Sequence, residues 1–95
     1  MRFEFRRRLP ADISYSYVPD GDPSDRVWKR VDMELWVRKI DKFGWAGVNN
    51  KAEILALPWA LAPDEQGDYP PECIWVSRKN DKSYVYDLVY SNGCL

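Results

Sequence analysis

The sequence predicts a small α+β domain, built from a mainly antiparallel sheet of about five or six strands and one short helix. Several segments alternate apolar and polar residues at strand period, and the connections between them are short, so neighbouring strands should run antiparallel. One segment, 51–57, carries helix signals at both ends instead. The expected order is β-β-β-β-α-β-β in a single domain spanning residues 1–95, a length typical of one domain.

The first two predicted strands are short and lie close together in the chain. Phe3 and Phe5 alternate with charged residues, and Pro10 ends this strand because proline cannot donate to a sheet ladder. Residues 13–17 alternate again, with Ile and Tyr on one face and Ser on the other. Residues 19–25 are rich in Pro, Gly and Asp, which predicts a loop.

The segment 27–40 fits a strand better than a helix. Every second residue over 31–37 is aliphatic or Met, which is strand period. A helix opening at Pro23 is the alternative. On a helical wheel, however, the apolar residues would point nearly all round, whereas a surface helix shows a stripe. We therefore expect a strand, then a turn at 41–44 and a hairpin partner at 45–48.

The predicted helix rests on its two ends. Asn50 followed by Glu53 resembles a capping box. Pro58 would stop the helix, because the residue before a proline avoids the helical region. Residues 51–57 are therefore predicted to be the one helix of the domain.

The last predicted element is a hairpin over residues 73–90. Its second strand is dense in β-branched and aromatic residues, which favour strands. Asn80 and Asp81 occupy the turn, where both residue types tolerate a positive φ. A loop rich in Pro and acidic residues, 63–71, precedes this hairpin.

The composition argues against an enzyme and against a metal or cofactor site. The chain has no His, two Cys, five Trp and six Tyr. Without His, a Ser or Cys nucleophile lacks its usual base, and no nucleophile elbow or phosphate-binding Gly-rich loop is present. Asp25 and Val31 stand where a calcium loop starting at Asp20 needs Gly and Glu, so loop-stabilising Asx turns are the better interpretation there.

The Trp, Tyr and Arg content favours a protein-binding surface, since these residues dominate binding hot spots. In the strand interpretation of 27–40, Trp28 and Trp36 share the face opposite Val31, beside charged residues. A sheet covered on both faces, or a homodimer, would bury that face instead. Acidic residues of the 19–25 loop would steer the encounter. The predicted partner-binding residues are Trp28, Arg30, Trp36, Arg38, Asp20, Asp22 and Asp25.

The function expected from these observations is that of a small non-catalytic protein-binding module. It would act as an inhibitor, an immunity-like protein or a phage-type blocker, by steric occlusion of a protein partner. One alternative is nucleic-acid binding through the strand face of Arg2, Arg6 and Arg8, although a net charge of −1 is far from a basic footprint. A second alternative is a homo-oligomeric accessory protein, with a homodimer as its simplest form.

Residues 54–90 resemble the second half of toxin-immunity proteins of the SUKH type. In this segment Gly67, Asp68 and Tyr69 stand between an apolar stretch and a strand hairpin. Residues 1–48 are β-rich, where that family would begin with helices. No residue role is therefore transferred from the family.

The sequence also predicts a cytoplasmic protein. The N-terminus has no apolar stretch of the kind a secretory signal needs, and no segment is long and apolar enough to span a membrane. Cys73 and Cys94 are then expected to be reduced thiols, with a disulfide between them as the alternative.

Overall fold

The chain folds into a closed barrel of eight antiparallel strands. A computed structural model describes residues 2–8 and 13–91. Each strand pairs with the next one along the chain, and the first and last strands pair with each other to close the ring. The strands are β1 (Arg2–Arg7), β2 (Ser14–Pro19), β3 (Trp28–Arg30), β4 (Leu35–Ile40), β5 (Gly44–Asn49), β6 (Ile54–Pro58), β7 (Ile74–Lys79) and β8 (Lys82–Ser91).

Helical structure in the described part of the chain is limited to two 3-10 turns, Pro23–Asp25 and Pro63–Glu65. Within residues 2–8 and 13–91, no helix is long and apolar enough to cross a membrane. The predicted α+β class is therefore wrong, and so is the expected count of five or six strands. The structure is nearly all β.

The predicted helix at 51–57 is a turn followed by a strand. The side-chain oxygen of Asn49 accepts hydrogen bonds from the backbone N–H groups of Lys51 and Glu53, both at 3.0 Å. These bonds close a turn rather than cap a helix, which is the competing use of an Asn side chain. The following residues form β6, which hydrogen-bonds to strands on both sides. The capping signals in the sequence fit a helix and a turn followed by a strand equally well.

The predicted strand at 27–40 is two strands joined by the turn 31–34. Val31 and Met33 lie in this turn and are exposed, although their spacing continues the strand alternation. The backbone N–H of Leu35 bonds the carbonyl of Met33, and β4 then runs back alongside β3. The expectation of one continuous strand was wrong because the alternation continues through residues 31–34, which belong to no strand.

The other hairpins follow the sequence prediction. The turn at 41–43 joins β4 and β5, which pair in register from Leu35 opposite Asn49 to Ile40 opposite Gly44. β7 and β8 form the last hairpin, with Asn80 in the turn at a φ of 58°. Both predicted hairpins are confirmed.

Aromatic side chains fill the barrel. Neighbouring strands place their inward residues in layers, so that Phe3 stacks on Tyr17 with ring centroids 5.1 Å apart. A barrel of eight short strands leaves an interior that side chains must fill, and large rings do so with few residues. The main core cluster consists of Phe3, Phe5, Tyr17, Trp28, Val37, Trp45, Trp75 and Leu88.

The loop between β6 and β7 covers one end of the barrel, called here the closed end. Three core side chains donate to its carbonyl groups: the Trp45 indole N–H to Gly67 and the Trp75 indole N–H to Pro71, both at 3.0 Å, and the Tyr90 hydroxyl to Pro70. Each donor is a polar atom on a ring that faces the core. The loop therefore both seals the interior and pairs the polar atoms of the rings beneath it.

Gln66 fastens this loop to the barrel wall. Its side-chain oxygen accepts from the backbone N–H of Trp45 at 2.7 Å, and its side-chain nitrogen donates to the carbonyl of Leu61 at 3.0 Å. Gln66 is the one buried polar side chain among the described residues. β1, β3, β5 and β7 all run from this closed end to the opposite end, called here the mouth.

Candidate functional site

A cavity lies inside the barrel on the side of the mouth. Its volume is about 70 Å³, and it continues outward into a recess of about 440 Å³. Barrel mouths are common binding sites because the strands hold the lining side chains rigidly. The cavity and the recess share the lining residues Tyr15, Arg30, Leu35, Leu55, Ser77 and Tyr86.

Arg30 is the charged side chain that lines this cavity. It lies opposite Tyr17 in the pairing of β2 with β3, so its side chain points inward. Its guanidinium lies over the ring of Tyr15, with the central carbon 3.7 Å from the ring centroid. Stacking on an aromatic face suits the planar, weakly hydrated guanidinium. The ring and the guanidinium together form one wall of the site.

Asp32, in the turn that follows β3, forms an ion pair with Arg30. Two nitrogens of Arg30 donate to the two carboxylate oxygens of Asp32, at 2.5 and 3.2 Å. The Arg30 side chain is 13% exposed, whereas that of Asp32 is 58% exposed. The hydrogen bond from Arg30 lowers the pKa of Asp32. The pair therefore has its cation in the site and its carboxylate in solvent.

More cations surround the recess. Arg7 lies over the ring of Tyr84, with 4.5 Å between its guanidinium carbon and the ring centroid. Arg78 and Lys79, at the end of β7, also line the recess. With Arg30, the lining has four cations and, among the described residues, no carboxylate. An anionic group would therefore be attracted to this end of the barrel.

Burial raises the pKa of tyrosines that line the cavity. The pKa of Tyr17 is raised by burial, against the opposing effect of Arg30. Burial and the neighbouring Tyr15 raise the pKa of Tyr86. Both phenols therefore stay neutral at physiological pH and offer hydroxyl groups rather than charges.

These shifts predict a loss of stability in alkali. A phenol whose folded pKa lies above its unfolded value contributes stability that is fully present below about pH 10 and is lost as the pH rises further. We expect the free energy of unfolding, measured by urea titration, to be flat near about pH 8 and to fall above about pH 10. Tyr17→Phe should make that fall shallower. An unchanged slope in this variant would contradict the role of the Tyr17 phenol.

The structure separates the two tryptophans that the sequence analysis placed on one face. Trp28 is 3% exposed and packs in the core, opposite Val37 in the pairing of β3 with β4. Trp36 lies on the outer face, where its indole N–H donates to Asp20 at 2.9 Å and Lys29 lies over its ring. The shared face was inferred from one continuous strand, and the turn at 31–34 breaks that register.

The remaining predicted partner-binding residues lie in three places. Arg38 and Asp25 line a shallow outer recess near the closed end, and Arg30 lines the cavity. Asp22 accepts from the backbone N–H and the hydroxyl of Ser24, both at 2.9 Å, at the start of a 3-10 turn. This bond confirms the loop-stabilising interpretation of the segment. Asp20 and Asp25 thus stay near Trp36 and Arg38, whereas Trp28 and Arg30 lie elsewhere.

The arginine face proposed for nucleic acid is partly neutralised within the molecule. Arg6 pairs with Glu4 at 3.1 Å, and Arg8 makes two hydrogen bonds to Asp87, both at 3.1 Å.

Of the two cysteines, Cys73 is a free, half-buried thiol whose pKa is raised by burial. Cys94, and with it the alternative of a 73–94 disulfide, lies outside the described residues.

Most of the mouth residues were not predicted from the sequence, although one signal in it points to them. Ser77 follows Trp75 at strand period, so it had to face the same interior, where a small polar residue leaves space. Arg30 follows Trp28 in the same way. A small or charged residue at an inward position is the pattern that locates this cavity.

Comparison of the chain with protein-family models, with characterised proteins and with solved structures found no match. The resemblance of residues 54–90 to toxin-immunity proteins therefore gains no support from them.

Proposed function

We propose that this chain is a non-catalytic binding protein that captures a protein partner at the mouth of its barrel and acts by occluding it. The observation that carries the proposal is the recess, in which tyrosine rings and four cations surround an opening to an internal cavity. Tyr and Arg are the residue types that dominate protein-binding hot spots. The sequence alone predicts this surface around Trp28, Arg30, Trp36 and Arg38, and of these four residues Arg30 lines the mouth.

The inner cavity of the site is too small to enclose a free small molecule. A cavity of about 70 Å³ is well below the roughly 150 Å³ that accommodates benzene, so it accepts a part of one side chain. Around it lie the wider recess and the exposed Val31 and Met33, which add apolar contact surface at the mouth. An anchor in a central pocket with an apolar and charged rim is the usual arrangement of a protein interface.

A second candidate function is binding of single-stranded nucleic acid at the same mouth. The observation that favours it is Arg7 over the ring of Tyr84, next to Arg78 and Lys79. Bases stack on aromatic rings while cations follow the phosphates. This candidate replaces the face of Arg2, Arg6 and Arg8, where two of the three arginines have internal partners.

A capture experiment with matched variants tests the proposal. The tagged protein is incubated with a nuclease-treated lysate of the source organism at about 0.15 M salt, where weak non-specific charge contacts are screened. The mouth variant is Arg78→Glu/Lys79→Glu, which reverses two exposed rim charges. The control variant is Trp36→Ala/Arg38→Ala, which removes the surface that the sequence predicted. We expect the wild type and the control to retain one protein that the mouth variant loses.

Other outcomes assign the function elsewhere. Loss in the control variant alone places the interface at Trp36 and Arg38. Capture that needs intact nucleic acid, and that weakens steeply between about 0.05 and 0.2 M salt, indicates nucleic-acid binding. With the purified partner, the mouth variant should bind at least about tenfold more weakly, mainly through a slower association. Equal affinity of the mouth variant and the wild type would overturn the proposal.

A further inference from the structure

Arg30 is an unusual residue to find inside the barrel. Arginine is rarely buried without a partner, because removing its charge from water is costly. Here one partner, Asp32, lies on an exposed turn, and the ring of Tyr15 supports the other side of the guanidinium. Among the described residues, Arg30 donates hydrogen bonds to Asp32 alone. Three of its five N–H donors thus have no hydrogen-bond acceptor there, and the terminal nitrogen that lacks one is open to solvent at the mouth.

The geometry of the pair is that of a fork holding a planar anion. The Nε atom and one terminal nitrogen of Arg30 face the two carboxylate oxygens of Asp32, an arrangement that recognises carboxylates in general. Asp32 belongs to a four-residue turn and has a largely exposed side chain. Such a pair gives up its carboxylate easily, since an exposed partner regains its hydration on leaving.

We propose that Arg30 is the anchor for a carboxylate of the partner, and that Asp32 occupies this position in the free protein until the partner displaces it. The inference rests on the proposed function of the mouth and names the chemistry that the mouth recognises. Arg7, Arg78 and Lys79 attract the incoming acidic group, and Arg30 receives it. Asp32 is a competitor tied to the same chain, so it lowers the affinity of every acidic ligand for Arg30 by the same factor.

Two small probes test the anchor without the partner. N-acetylglutamate α-amide carries only a side-chain carboxylate, and N-acetylalanine carries only a terminal one. Each is titrated into the protein up to about 50 mM, a range suited to ligands of millimolar affinity, while the Arg30 Nε resonance is followed by NMR. The tighter of the two shows whether an acidic side chain or a chain terminus is the natural group.

The decisive variants are Asp32→Asn and its matched control Asp81→Asn. Both remove one negative charge near the mouth, but Asp81 lies in the turn between β7 and β8 and makes no hydrogen bond or ion pair with the described residues. We expect Asp32→Asn to bind the better probe about fivefold more tightly than the wild type, because the probe no longer competes with an ion pair for Arg30. Asp81→Asn should change affinity by less than about twofold. Arg30→Lys, which keeps the charge but loses the fork, should weaken binding in a chain shown by its spectrum to be folded.

Equal affinities of Asp32→Asn and Asp81→Asn would overturn the inference, as would a complete lack of probe binding to Asp32→Asn. Such a result leaves the proposed function intact if Arg78→Glu/Lys79→Glu still loses the captured protein. Conversely, probe binding at Arg30 combined with unchanged capture by that mouth variant shows an anion site that the partner does not use. The two failures are therefore distinguishable.

Discussion

Replacing Trp75 with alanine is expected to remove about 3–5 kcal/mol from the free energy of unfolding. Trp75 is 0% exposed, its ring lies 5.1 Å from that of Phe5, and its indole N–H donates to the carbonyl of Pro71. The variant loses the burial of a large ring, leaves a cavity and frees the loop at the closed end. Since small domains are stable by about 5–15 kcal/mol, the variant should lose a large fraction of its stability. Urea titration followed by circular dichroism measures the loss.

Trp59→Ala is the matched control. Trp59 is 62% exposed, and its backbone N–H, which bonds the carbonyl of Ile74, survives the substitution. Trp59→Ala removes the same type of side chain as Trp75→Ala, also at the closed end of the barrel. It should alter the free energy of unfolding by less than about 0.5 kcal/mol. A comparable loss in both variants would show that the ring of Trp59 is packed in solution. It would also remove the distinction between core and surface tryptophans.

This comparison explains why composition misled the analysis of function. The high aromatic content was interpreted as a binding surface that includes Trp28, but Trp28 packs in the core of the barrel with Trp45 and Trp75. Composition counts rings and gives no information about where they point. A ring belongs to the core or to the surface according to which of the alternating residues of its strand face inward. The register of strand pairing fixes which residues these are.

The hairpins could be predicted from the sequence, but the closure of the sheet into a barrel could not. Alternation and turn residues correctly placed β1, β2, β5 and the hairpin around Asn80, because these features are local. Closure depends on contacts such as Phe3 opposite Tyr90, between the two ends of the chain. No local pattern reports such a pairing. The turn at 31–34 and the strand β6 were misassigned because alternation and capping signals each fit two structures.

The candidate site was the least predictable part, for a physical reason. Strand alternation placed Arg30 on the face of Trp28, and that face was expected to be an exposed interface because charged residues flank its tryptophans. The structure turns it inward, where the ring of Tyr15 and the carboxylate of Asp32 offset part of the cost of burial. Functional positions depart from the general rules of burial, so sequence rules place them least well.

Ser77→Val is expected to raise the free energy of unfolding by about 1 kcal/mol while weakening ligand binding at least about tenfold. Ser77 lines both the cavity and the recess, between Ala56 on β6 and Tyr84 on β8. Its hydroxyl makes no hydrogen bond with the described residues, so its loss leaves no partner unsatisfied there. Valine adds apolar volume in a strand position that favours β-branched residues, and thereby fills the cavity.

The control Ser83→Val makes the same change on the outside of β8, opposite Arg78 and away from the cavity. This variant should leave ligand binding unchanged. The valine side chain lies outside the barrel and fills no part of the cavity, whatever stability it gains from strand preference. Stability is measured by urea titration, and binding by titration of the carboxylate probes and of the captured partner. A more stable Ser77→Val protein with unchanged affinity would show that ligands stop at the recess. A more stable protein with lost affinity marks the cavity as space kept open for binding, because a mere packing defect could be filled without loss of function.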